Sequence, residues 1–237
     1  MIRAILLDVE GTTTPIAFVH EVLFSYARDH AKEFLVTNAG ADEVRADIAR
    51  LREEHATDVS NGEQPPPLND DALIDSLVAY VEWLIARDRK STGLKSLQGK
   101  IWKQGYTDRS LKSQVYADVA PAFARWRALG WSINIFSSGS VLAQQLLFAH
   151  TEAGDLTKFI DHYFDTNVGK KGEADSYRRI AEALSLRADE ILFVSDVVAE
   201  LDAASEAGME TLLSIRAGNQ PQQQAEKYRA IHSFESV

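Results

Sequence analysis

Four short apolar runs punctuate the chain: IRAILL (2–7), WSINIF (131–136), ILFVS (191–195) and METLLSI (209–215). Each has the length of a strand and lacks the strict apolar–polar alternation of a sheet with one wet face, so the pattern predicts strands covered on both sides. The segments around the last three instead repeat at helical spacing. APAFARWRALG precedes the second run, and AELDAASEAG separates the third from the fourth. Strands alternating with helices of this size predict an α/β architecture, a doubly wound parallel sheet with helices on both faces.

The stretch from 15 to about 112 breaks that rhythm. Thr14 before Pro15 is a helix-start signature, hydroxyl as cap and proline at the first helical position. Apolar residues then recur at Ile16, Val19, Leu23, Ala27, Phe34 and Leu35. A second helix is predicted over 41–55. After the loop NGEQPPPLND, a third carries a stripe of Leu73, Leu77, Tyr80, Val81 and Leu84, and a fourth runs through LKSLQGKIWKQGY. The expected organisation is an inserted helical cap domain over 15–112, with 1–14 and 113–237 forming the α/β core. The Pro65–Pro67 loop and NQPQQQ read as exposed loop or linker. Trp83, Trp102 and Trp126 read as core aromatics.

In an open parallel sheet, ligands bind beyond the carboxyl ends of the strands, so the residues after each run matter most. The first run ends in Asp8-Val9-Glu10-Gly11-Thr12. The second ends in Ser137-Ser138-Gly139-Ser140 and opens the helix VLAQQLLFAH. The third ends in Ser195-Asp196, with Glu200 four residues on, and is preceded by the loop Val168-Gly169-Lys170-Lys171-Gly172. Taken singly, each has a structural explanation: an acid in a turn, serines capping a helix, solvated loop lysines. Four such clusters at one edge of one sheet are what phosphoryl transfer requires.

A phosphate monoester needs an in-line nucleophile and neutralisation of its oxygens. Asp8 can attack as a carboxylate and form an aspartyl-phosphate. Asp8 and Asp196 offer oxygen ligands to a magnesium ion, which takes one or two carboxylates, substrate oxygens and waters. Ser137 or Ser138, with amides at a helix N-terminus, can hold the phosphate, and Lys171 adds a positive point charge. Gly11 permits a close backbone approach.

Composition narrows the alternatives. At 237 residues, 45% hydrophobic and 25% charged, the chain has the make-up of an ordinary globular protein. A formal net charge of -10 argues against general binding of nucleic acid or an anionic membrane. The absence of cysteine removes disulfides, thiolate catalysis and cysteine-ligated metals. No signal peptide is evident, and no apolar run approaches the ~20 residues that cross a bilayer, so a soluble cytoplasmic protein is expected.

In this order, Asp8, Ser137 or Ser138, Lys171 and Asp196 resemble the four motifs of the haloacid-dehalogenase-like hydrolases, and the helical insertion between the first and second motifs matches that family's architecture, a Rossmannoid core bearing a cap. One position departs from the common pattern. Most phosphatases of the superfamily carry aspartate two residues after the nucleophile as general acid and base, whereas this chain has Glu10. DVEGTTTPIAFVH, DRKSTGLKSLQGKIW (88–102), ADVAPAFARWRALGW, IFSSGSVLAQQLLF and the FDT-x-V-G-x-K segment together resemble the enolase-phosphatase family of methionine salvage, from residue 5 to about 219.

That resemblance implies a magnesium-dependent enzyme. Its substrate would be 2,3-diketo-5-methylthiopentyl 1-phosphate, enolised and then dephosphorylated to an acireductone and phosphate. It implies Asp8 and Glu10 as catalytic residues, and Asp8, Glu10 and Asp196 as ligands of one Mg2+, with Glu10 acting through its side chain or its main-chain oxygen. Ser137, Ser138 and Lys171 would bind substrate, and the cap would exclude water from the reaction. The base for enolisation stays open among Glu10, a metal-bound hydroxide and a cap residue. His20 reads as an ordinary helix position, with a cleft-facing role as the alternative; Arg89 and Lys90 read as substrate contacts or a solvated helix end. A monomer is expected. The rival functions are a capped phosphatase for a sugar phosphate or phosphoglycolate, a metal-free dehalogenase, and a non-catalytic phosphate-binding module. Glu10 disfavours the first, the acid pair the second, and the intact Asp8 the third.

Overall fold

The computed structural model describes residues 1–87 and 89–237; residue 88, the first of the segment 88–102 quoted above, lies outside the described residues. Six strands form one parallel sheet: β1 (Ala4–Leu7), β2 (Ser132–Phe136), β3 (His162–Phe164), β4 (Ile191–Ser195), β5 (Glu210–Ser214) and β6 (Ala230–Ile231), in the spatial order β3-β2-β1-β4-β5-β6. All four residues of β1 and all five of β4 are buried, which is why neither alternates in polarity. The four apolar runs are therefore β1, β2, β4 and β5. The sequence pattern predicts neither β3 nor β6. Three and two residues long, they lie at the two edges of the sheet, where a strand needs only one partner.

The chain divides into two compact units, Met1–Val19 with Lys112–Val237, and His20–Leu111. The second is helical: α1 (Phe24–Asn38), α2 (Asp42–Ser60), α3 (Leu73–Ala86) and α4 (Thr92–Asp108). Its core joins Ala31 and Leu35 of α1, Leu51 of α2, Leu77, Tyr80, Val81 and Leu84 of α3, and Leu97 and Ile101 of α4, so the α3 stripe is the buried face. Trp83 and Trp102 are buried here as well.

The start of this helical region differs from expectation. Thr14 does not cap a helix: its backbone pairs in a short bridge with Glu10, and its hydroxyl is buried without a hydrogen-bond partner among the described residues. The following segment, Phe18–Leu23, is π-helical and leads into α1. The three threonines are drawn inward because Val9's carbonyl accepts the amides of Thr12, Thr13 and Thr14 at 3.3, 3.0 and 2.9 Å.

In the first unit, α5 (Val119–Ala128), α6 (Val141–Ala149), α7 (Ala174–Leu184) and α8 (Val198–Glu206) wind around the sheet. Ala4 and Leu6 of β1 share a cluster with Tyr177 and Ile180 of α7 and Leu201 and Ala204 of α8. Alternation turns Ile5 and Leu7 to the opposite face. Trp126 of α5 is fully buried and meets Phe123 and Phe234.

Candidate active site

Parallel pairing places the carboxyl ends of β1, β2 and β4 side by side. The Asp8 amide continues the β1–β4 ladder by donating to the Val194 carbonyl at 3.0 Å, and the Ser137 amide continues β2–β3 by donating to Phe164 at 3.1 Å. Asp8 thus leaves the sheet at its central strand, and is itself buried.

Its carboxylate is held from two sides. Lys171 Nζ lies 2.5 Å from Asp8 Oδ1, and the Thr12 hydroxyl donates to Oδ2 across a long 3.4 Å. Lys171 also meets Glu200 Oε2 at 2.6 Å, and Glu200 in turn accepts the Ser195 hydroxyl at 2.8 Å. Burial works against a charged lysine here, but Asp8 and then Glu200 outweigh it and hold its pKa above the usual value. The ammonium therefore stays charged through the physiological range.

The lysine loop is fastened from behind. The Tyr177 hydroxyl donates to the Lys171 carbonyl and the Ser176 hydroxyl to the Lys170 carbonyl, both at 2.7 Å. Gly169, with φ of +139°, lets Ser176 approach: a Cβ there would overlap the Ser176 hydroxyl. A loop lysine that sequence alone could treat as solvated is thereby fixed on Asp8.

Asp196 follows β4 and is buried. Burial first, then the charges of Asp8 and Glu200, push its carboxyl up to about 7, with Lys171 opposing. Glu200 is also raised, by burial against the pull of Lys171. The buried Asp8 and Asp196 and the half-buried Glu200 thus surround a single ammonium, an imbalance that a hard cation would correct. Among the described residues no three acidic or histidine side chains form a cage by themselves. A donor set of two carboxylates completed by main-chain oxygen, water and substrate suits magnesium, which keeps several waters when bound.

Gly11, with φ of +69°, carries the chain under Asp196: a Cβ on it would collide with Asp196 Oδ2 and stand 2.9 Å from Asn219 Oδ1. Glu10 next to it is half-buried. At the end of β2, the Ser137 Oγ accepts the Gly139 amide at 3.1 Å, Ser138 is exposed, and Ser140 caps α6 by accepting the Ala143 amide at 3.2 Å. Gln144, on α6, donates from Nε2 to the carbonyls of Gly139 and Phe164 at 3.0 and 2.9 Å, which holds this serine loop against β3.

A family model described as a haloacid dehalogenase-like hydrolase matches residues 2–208. The chain is 52% identical over 236 residues to enolase-phosphatase E1 of Synechococcus elongatus, covering 100% of this chain and 98% of that one. The chain belongs to the haloacid-dehalogenase-like hydrolases, in the enolase-phosphatase family. A crystal structure of the UTR4 protein of Saccharomyces cerevisiae superposes with a TM-score of 0.80 at 36% identity, covering 100% of both chains. A protein of Populus trichocarpa named probable bifunctional methylthioribulose-1-phosphate dehydratase/enolase-phosphatase E1 is 45% identical over 99% of this chain and 47% of its own length.

For a hydrolase of this family, the structure joins Asp8 to Lys171 directly, sets Asp196 over the adjoining loop, and stands Ser137 and Ser138 at the end of the strand beside β1. Glu200 has no role in the sequence reading, yet it is the second carboxylate on Lys171; its only sequence signal is an acid one helical turn beyond Asp196. His20, in the π-helical segment, is exposed, with its ring edge-on to Phe24 at 5.3 Å. Arg89 pairs with the buried Asp58, and also with Glu63 at 3.6 Å, both within the helical unit.

Proposed function

We propose that the chain catalyses the enolase-phosphatase reaction of methionine salvage, converting 2,3-diketo-5-methylthiopentyl 1-phosphate to the acireductone 1,2-dihydroxy-3-keto-5-methylthiopentene and phosphate. The observation that carries this reading is the buried Asp8 at the end of the central strand, held 2.5 Å from Lys171, in a chain that resembles enolase-phosphatases over its full length.

Asp8 attacks phosphorus and becomes an aspartyl-phosphate, which divides one slow hydrolysis into two displacements. Lys171, kept charged and oriented by Glu200, neutralises the phosphate oxygens as the bond to the leaving oxygen breaks. Ser137, Ser138 and the amides opening α6 grip the phosphate. Glu10 is the general acid that protonates the leaving oxygen and the base that activates water in the second displacement. Asp8, Asp196 and Glu10 would hold one Mg2+, which when bound supplies charge neutralisation for the anionic groups of the substrate. We read residues 15–112 as the cap domain and the protein as a cytoplasmic monomer; among the described residues, no helix is long and apolar enough to cross a membrane.

The test is to supply the diketone phosphate with magnesium and follow enol absorbance and phosphate release together. Both signals should appear, and EDTA should abolish phosphate release. Phosphate release with no enol signal would reduce the activity to that of a general phosphatase, and continued turnover in EDTA would contradict the magnesium requirement.

A further inference from the structure

Strands β1, β4 and β5 are neighbours, and Asp196 sits at the end of the middle one. The loop after β5 reaches across that end to the loop after β1. Asn219 makes the crossing: its Nδ2 donates to the Gly11 carbonyl at 2.9 Å and to the Ser214 carbonyl at 3.2 Å. Ser214, the last residue of β5, also donates its hydroxyl to the Gly11 carbonyl at 3.2 Å. The Gly11 peptide, one residue beyond Glu10, is thus pinned by one donor from β5 and one from the loop after it, neither of which it pairs with.

The other end of the Asn219 amide is as informative. Oδ1 is buried and accepts no hydrogen bond from the described residues. It stands 2.9 Å from the point above Gly11 at which a Cβ would lie, and Asp196 Oδ2 crowds that same point. A buried acceptor left unmade is costly, so such an atom beside a site points to a partner from outside the chain.

We propose that Asn219 is a positioning residue for phosphoryl transfer: Nδ2 fixes the backbone that carries Asp8 and Glu10 at the correct distance from Asp196, and Oδ1 accepts from a water or hydroxyl brought in with the bound ligands. The asymmetry of the amide is what the position requires. Aspartate there would set an oxygen against the Gly11 and Ser214 carbonyls, and alanine would free the Ser214 carbonyl and leave the Gly11 carbonyl on the Ser214 hydroxyl alone. This inference rests on the phosphoryl-transfer reading of the site.

The test compares wild type, Asn219→Ala and Asn219→Asp, with Asn219→Ser as the substitute should Asn219→Ala not fold. Three quantities are measured: kcat and KM for phosphate release, Mg2+ affinity of the substrate-free protein by titration calorimetry, and melting temperature. Asn219→Ala should lose about tenfold or more in kcat with KM changed less than threefold, and should bind Mg2+ about tenfold more weakly, equivalent to ~1.4 kcal/mol. Asn219→Asp should lose more kcat than Asn219→Ala. Unchanged kcat and Mg2+ affinity with a lowered melting temperature would overturn the proposal by making Asn219 a structural tether only. Failure of the wild type to release phosphate from any ester would instead sink the site reading beneath it.

Discussion

Asp196 illustrates how the site is held in a state the chain alone does not favour. A carboxyl near pKa 4 in the unfolded chain is pushed up to about 7 by burial and by Asp8 and Glu200. Because the folded value is the higher one, the folded metal-free protein binds this proton more tightly. The associated stability is complete below pH 4 and is lost as pH rises through 7. Asp196→Asn should therefore melt at a higher temperature than wild type at pH 8 in EDTA, and the gap should narrow at pH 5. With Mg2+ bound as proposed, wild type should gain melting temperature on adding the ion, and the same substitution should remove most of that rise. Scanning fluorimetry at both pH values, with and without Mg2+, checks this; an Asn variant less stable than wild type at pH 8 in EDTA would contradict it. At this scale Asp8, Lys171 and Asp196 were legible because each follows a strand end or a glycine turn. The clamp by Glu200 was not, because it depends on a partner that only the sheet brings near. Thr14 misled for a related reason: the loop of Val9 claims its backbone before a helix can.

Among elements, α2 and α4 of the helical unit show polar design at a helix start. Ser91 accepts the Leu94 amide at 2.8 Å as a conventional cap, while Glu54 of α2 accepts the amides of Thr92 and Gly93 at 3.0 and 3.1 Å and also the Ser91 hydroxyl. A carboxylate from a neighbouring helix thus satisfies donors that α4 leaves unpaired, at its positive end. Glu54→Ala should cost about 1–3 kcal/mol in a denaturant melt, and Glu54→Gln less, since Gln retains one acceptor. An unchanged midpoint in Glu54→Ala would show that water replaces the carboxylate without loss. The helices were legible from periodicity, but this link was not, because Glu54 lies on a face that reads as solvated. β3 and β6 escaped because an edge strand of two or three residues carries too few positions to show a pattern.

Taken as a whole, the molecule places its chemistry on a small area of one sheet edge and fixes it from behind. β1 and β4 are apolar throughout apart from Ser195, so the first polar group after each is delivered at the boundary of the core. The loops that carry Asp8, Lys171 and Ser137 are each tied by side chains of other elements: Asn219 and Ser214, Tyr177 and Ser176, and Gln144. Such support holds reacting groups near a productive geometry before substrate arrives. Borohydride trapping tests the proposed covalent catalysis by Asp8. An acyl phosphate on Asp8, quenched during turnover and reduced with tritiated borohydride, should give labelled homoserine at position 8 of the N-terminal peptide, with none in Asp8→Asn. Continued phosphate release in Asp8→Asn, or rapid wild-type turnover that leaves position 8 unlabelled, would exclude Asp8 as the nucleophile.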